Sequence, residues 1–83
     1  LTVNVVSADA EVWSGDARQV IARTSEGEIG VLSGHEPILA ILAEGEVRIT
    51  ALDGTVITAK ADDGFLSVQN DVITIVAGTA ELA

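Results

Sequence analysis

The sequence contains no cysteine. That excludes disulfides and thiolate metal sites, and it fits a reducing compartment. Basic residues are also scarce: four Lys and Arg stand against thirteen acids, for a net charge of −9. Phosphate backbones need clustered cations, so nucleic acid is excluded as a partner, and an anionic membrane surface is excluded for the same reason. Aromatics are limited to Trp13 and Phe65, too few to line a sugar-binding cleft. The longest apolar run, Ile38 to Ala43, is far too short to span a bilayer. No signal peptide is read in the chain. It begins at Leu1 rather than Met, so a trimmed or processed N-terminus is expected.

What remains is one domain, residues 1–83, made mostly of small aliphatic residues; 48% of the chain is hydrophobic. A chain this short buries only about two-thirds of its unfolded surface. Short apolar segments alternate with turn signals. The segments 2–7, 11–15, 17–24, 27–32, 38–43, 46–52, 55–61, 65–69 and 72–78 read as strands. The run 38–43 also admits a single helical turn. In 46–52, Val47, Ile49 and Ala51 alternate with Glu46, Arg48 and Thr50, as in a half-buried antiparallel strand. Asp53-Gly54 predicts a two-residue hairpin turn. Asn70-Asp71 predicts another, since both side chains tolerate left-handed backbone. Asp62-Asp63-Gly64 is read as a third turn, and Ala80–Ala83 as the start of a helix. The expected fold class is all-β: an antiparallel sandwich or barrel of eight or nine short strands.

Chemistry-bearing residues concentrate in SEGEIGVLSGHEPIL, residues 25–39. It holds Gly27, Gly30 and Gly34, three acids, the single histidine and the single proline. His35 has Ser33 two positions away, yet nucleophilic catalysis needs an oriented acid as well, and no catalytic residue is assigned. One histidine without cysteine falls short of a zinc set, and no EF-hand spacing occurs. No metal and no cofactor is expected. Glu26 and Glu28 straddle Gly27 and read as an acidic contact loop. Lys60 is similar in setting to the swinging-arm lysine of lipoyl domains, but Ala59 stands where those carry an acid. It is read as a solvent-facing strand lysine. No Walker or dinucleotide glycine motif is present.

The order VVSA (5–8), WSG (13–15), SEGEIGVLSGHEPIL (25–39), GEVRI (45–49) and GFLSV (64–68) resembles the N-terminal domain of the epsilon subunit of F-type ATP synthases. The resemblance covers essentially the whole chain. Ser33 stands where that family often has proline, a change in loop stiffness. The resemblance implies a sandwich of about ten short strands, with a C-terminal helical hairpin that this chain lacks. It implies a non-catalytic rotor subunit of the central stalk, which docks on the gamma subunit and the c-ring and supports coupling of proton transport to ATP synthesis. By motif match, Ser7, His35, Glu36, Ile38 and Leu39 would face gamma. Glu26, Gly27, Glu28 and Ile29 would face the c-ring. The implied location is peripheral, on the cytoplasmic face of the bacterial plasma membrane, without membrane insertion. The composition also admits an alternative, an acidic Ig-like repeat of a bacterial surface adhesin.

Overall fold

Period-two alternation of Val, Ile and Leu with polar residues runs through most of the chain, and the chain forms strands wherever it does so. A computed structural model describes residues 1–8 and 10–82. Its strands are β1 (Thr2–Ser7), β2 (Glu11–Thr24), β3 (Gly27–Leu32), β4 (Ile38–Ile41), β5 (Gly45–Ala51), β6 (Val56–Gln69) and β7 (Val72–Leu82). The sheet order is β1-β7-β6-β5-β2-β3, and β1 also pairs with β2, so the sheet closes on itself. β3 hangs on β2 and β4 on β6. The β1–β7 pair is parallel, and the other pairings are antiparallel.

Two strands of 14 residues each, β2 and β6, serve both layers of the flattened barrel. β2 pairs with β1 up to Asp16 and with β5 from Ala17, with a register break between Ala17 and Gln19. β6 pairs with β5 from Val56 to Ala61 and with β4 from Phe65 to Val68. The strands are therefore fewer and longer than the nine segments in the sequence. Segments 11–15 and 17–24 are one strand, and so are 55–61 and 65–69.

Asp62-Asp63-Gly64 is a corner inside β6 rather than a turn between strands. Asp63 takes a left-handed φ of 58°. A Cβ at Gly64 would collide with the backbone carbonyl of Val76 on β7. The glycine lets the two backbones touch at the bend, while the β6–β7 register stays unbroken from Ala59 to Gln69. Asn70 and Asp71 form the expected tight turn, with φ of 52° and 62° and Gln69 paired to Val72. Asp53-Gly54 does not form the two-residue turn. Gly54 alone has positive φ, its N–H donates to the Ala51 carbonyl, and Ala51 N–H donates to Thr55, giving the longer type I loop with a left-handed glycine. Residues 79–82 continue β7 beside β6 instead of starting a helix. Ala83 lies outside the described residues.

The core between the layers is aliphatic: Val3, Val5, Val20, Val31, Val47, Ile49, Leu66, Val68, Ile73 and Ile75 are fully buried. Trp13 packs against its rim. Gly64→Ala is expected to destabilise the fold by about 2 kcal/mol or more, because backbone must move to admit the methyl group. Gly54→Ala meets no atom within 4 Å and costs only its left-handed backbone, about 1 kcal/mol. Thermal melts of the two variants check this, with Gly64→Ala expected to lose the larger margin; equal losses would contradict the corner's role.

Candidate interaction surfaces

The motif-bearing segment 25–39 folds as one edge strand, β3, with a loop at each end. At the first loop, Thr24 is 4% exposed. Its hydroxyl donates to the Gly27 carbonyl at 2.7 Å and accepts from the Glu26 N–H at 3.2 Å. This one side chain satisfies two polar groups of a tight turn, in which Gly27 takes a φ of 114°. Glu26 sits exposed at the tip. Glu28 stands on β3 opposite Arg23, with its carboxylate 3.8 Å from Arg48. Ile29 points the other way and packs against the core. The two acids that straddle Gly27 thus lie in different settings, one at a turn tip and one in a cross-strand charge pair.

At the second loop, Leu32 to His35 form a turn closed by the His35 N–H on the Leu32 carbonyl at 3.2 Å, with Gly34 at φ 84°. Ser33 turns away from His35: its hydroxyl meets the Asp71 carboxylate at 3.2 and 3.3 Å. The Gly34 N–H donates to the same carboxylate at 3.0 Å, and the Leu1 amino nitrogen lies 3.2 Å from its second oxygen. The Gly34 N–H is the main reason that the Asp71 carboxyl sits below its ordinary pKa, with the Leu1 amine and Ser33 acting in the same direction. His35 Nδ1 lies 2.7 Å from the Glu36 carbonyl oxygen, a contact that places a proton on Nδ1. Half-buried His35 therefore has neither a serine nor an acid in catalytic register, and it sits at the edge of a surface. Glu36 and Pro37 are exposed.

β4 then runs back between the two loops. The Ser25 N–H donates to the Ile41 carbonyl at 2.9 Å, and Thr24 bridges Leu42, so the Glu26 loop adjoins one end of β4 while His35 adjoins the other. Ile38 packs on the core. Leu39 is 74% exposed and Ile41 61%. Their partners on β6 are Ser67 and Phe65, and Phe65 is also exposed. The next rows across β7 and β1 are Val76 with Val6, and Thr74 with Asn4. Leu39, Ile41 and Phe65 therefore form an apolar strip on the outer face of one layer. Ile41 lies in an unbroken apolar run that reads as a buried strand, and only the pairing register separates its inner from its outer residues; Phe65 opens the alternating stretch FLSVQ, where an aromatic reads as core by type although the register turns it outward.

Ser7 does not join this group at the His35 end. It pairs with Ala77 at the far end of β1, about 20 Å from the Asn70-Asp71 turn at the usual strand rise. Its hydroxyl caps the Ala10 carbonyl at 3.3 Å. The opposite layer carries the cations. Lys60 stands between Glu46 and Glu81 in register, and Arg23 opposes Glu28. Arg18 donates to the Leu52 carbonyl at 2.8 Å. A groove of about 570 Å³ near Lys60 is lined by Glu44, Glu46, Asp62 and Glu81, well separated from His35 in the pairing scheme.

These features define a small β-sandwich domain whose distinctive residues lie on surfaces and loops rather than in a cleft. The sequence matches the ATP synthase delta/epsilon chain β-sandwich domain family over residues 1–83. It is 49% identical over 82 residues to an ATP synthase epsilon chain of Micrococcus luteus, covering 99% of this chain and 90% of that one. It is 45% identical over 83 residues to the epsilon chain of Streptomyces avermitilis, covering all of this chain and 67% of the relative. Among solved structures, a chain of the Euglena gracilis mitochondrial ATP synthase, determined as OSCP/F1/c-ring, superposes with a TM-score of 0.90 at 27% identity. The match covers 96% of this chain but about half, 51%, of that one. The chain belongs to the ATP synthase delta/epsilon β-sandwich family, and the adhesin-repeat alternative finds no support.

Thr24→Val keeps the shape of the side chain but removes both hydroxyl bonds. It is expected to destabilise the domain by about 1–2 kcal/mol and to speed amide exchange at Glu26. Hydrogen-exchange measurement with a thermal melt checks both effects.

Proposed function

We propose that this chain is a non-catalytic central-stalk element of an F-type ATP synthase that docks on the gamma subunit and on the c-ring, helping to couple proton transport to ATP synthesis. Family membership over residues 1–83 supports the complex. The observation that carries the docking reading is that Leu39, Ile41 and Phe65 are exposed side by side on one face, whereas the other exposed large hydrophobics, Leu32, Leu52, Val56, Val72 and Leu82, stand at strand ends and in a turn. An apolar strip of this kind has a reason to meet a partner.

In this reading the gamma-facing surface comprises His35, Glu36, Ile38 and Leu39, extended by Ile41 and Phe65, with Ser7 contributing separately from the far end of β1. The c-ring-facing loop is Glu26, Gly27, Glu28 and the exposed part of Ile29. The adjacency of the Ser25–Gly27 turn to the end of β4 supports one continuous rim with two partners. Apolar burial on gamma would contribute about 25 cal/mol per Å², offset by the cost of association. The exposed Glu28–Arg48 pair adds little energy and mainly orients the ring contact. The chain would sit peripherally on the cytoplasmic face of the bacterial plasma membrane. No helix among the described residues is long and apolar enough to cross a membrane.

Leu39→Asp is expected to weaken gamma binding at least tenfold in titration, with an unchanged circular dichroism spectrum, since Leu39 is 74% exposed. Unaltered affinity removes Leu39 from the interface. Glu28→Lys is expected to lower proton-driven ATP synthesis in the reconstituted complex while assembly on gamma stays normal. Undiminished synthesis would count against Glu28 as a ring contact.

A further inference from the structure

The loop Ser33–Pro37 carries His35 and leads into β4, yet it has almost no means of its own to hold a shape. Pro37 has no N–H to donate. His35 bonds only within the loop and its flank, to the Leu32 and Glu36 carbonyls. Among the described residues, every hydrogen bond that joins this loop to a distant part of the chain ends on one carboxylate. Ser33 Oγ and Gly34 N both meet Asp71, 38 and 37 positions further along the sequence.

Asp71 is suited to this because of where it sits. It occupies the second position of the Asn70-Asp71 turn in a left-handed conformation, φ 62°. That turn joins β6 to β7, and β6 is also the strand on which β4 is hung. A carboxylate at this point ties the His35 loop to the same hairpin that carries Leu39 and Ile41 through β4. Both ends of the segment 33–41 are then fixed to one rigid body. The depressed pKa of Asp71, caused first by the Gly34 N–H, is what a bond to the charged carboxylate produces.

We propose that Asp71 is a positioning residue, which holds the Ser33–Pro37 loop in the conformation that meets the partner. This rests on the reading of His35 and β4 as a docking surface. Asp71 does not touch the partner; it acts through Ser33 and Gly34. Without its carboxylate the loop samples other conformations, and binding must then select the competent fraction.

The backbone role of Asp71 is separable from its side-chain role. Asp71→Gly suits the left-handed position and preserves the turn while removing the carboxylate. Asp71→Asn tolerates the same backbone and retains one acceptor oxygen. In the full-length chain, Asp71→Gly is expected to speed amide exchange at Gly34 at least tenfold, while exchange at Ile73 and Ile75 stays as in the parent. Affinity for gamma is expected to fall about fivefold to tenfold, with Asp71→Asn recovering part of both losses. Unchanged exchange at Gly34 overturns the proposal, and so does faster exchange with undiminished affinity. Leu39→Asp, measured in parallel, separates the two failures. If Leu39→Asp weakens binding and Asp71→Gly does not, the positioning role is wrong and the docking surface stands. If neither weakens binding, the docking surface itself is wrong.

Discussion

The bend of β6 at Asp63 and Gly64 is the constraint from which the surfaces follow. Before it, β6 pairs with β5 in one layer; after it, β6 pairs with β4 in the other. β7 follows through the same corner without a register slip, which is feasible only because residue 64 has no side chain to strike the Val76 carbonyl. Closing a sheet this way leaves few free edges for so short a chain. It also allows small Val, Ile and Leu side chains to fill the space between layers without large aromatics. β3 and β4 each pair on one side only, as do the end of β7 and the start of β2, and β3 and β4 bear most of the candidate contact residues.

The two faces of the sandwich differ in kind, and magnitudes decide what each can do. On the face of β3, β2, β5 and β6, Glu28 opposes Arg23, and Lys60 stands between Glu46 and Glu81. Such register neighbours attract weakly in water, and the ion pair that forms on this face among the described residues, Glu28 with Arg48 at 3.8 Å, is exposed and contributes little. The charged side chains keep that face solvated. Among the described residues, the strands of the face bearing β4 place no Lys or Arg beside Leu39, Ile41 and Phe65, which are exposed. If this face meets a partner, as proposed, apolar burial would be the stronger source of binding energy, and the net charge of −9 would favour a partner with a basic rim through long-range steering.

Much of this was legible in the sequence, for identifiable reasons. Val47 and Ile49 point inward as their alternation requires, because period two is a local property of a strand. Asn70-Asp71 forms its turn because both residues tolerate left-handed backbone. The corner at 62–64 reads as a turn in sequence because Asp-Asp-Gly satisfies either geometry; the choice is made by β7, which lies beside it. Residues 79–82 form strand rather than helix because the partner edge of β6 is waiting for them, so tertiary pairing overrides a weak local preference. The hydroxyl bonds of Thr24 and the side-chain bonds of Asp71 to Ser33 and Gly34 have no sequence signal. A Thr at the end of a strand and an Asp in a turn are ordinary, and their roles come from where Gly27 and Gly34 lie in space. The motif match that places Ser7 and His35 toward one partner carries no distance between them, and the register of β1 on β7 puts them at opposite ends of that layer.

The closed sheet also bears on how this domain is used in proteins of different length. The relatives named above differ in length, and the matched span is a larger share of the Micrococcus luteus chain than of the Streptomyces avermitilis one. A fold that tolerates such variation must complete its core without help from what lies beyond it. Here the parallel pairing of β1 with β7 does that: Val3 and Val5 from the first strand and Ile73 and Ile75 from the last are fully buried against the same interior. Leu82, at the end of β7, is exposed, so further chain can leave the sandwich there without opening it. The candidate rim along β3 and β4 is built from internal pairings and from the Asp71 carboxylate, none of which involves that exit point. Chain added beyond β7 can therefore leave those pairings intact, and a longer relative need not rearrange β3 and β4 to accommodate it.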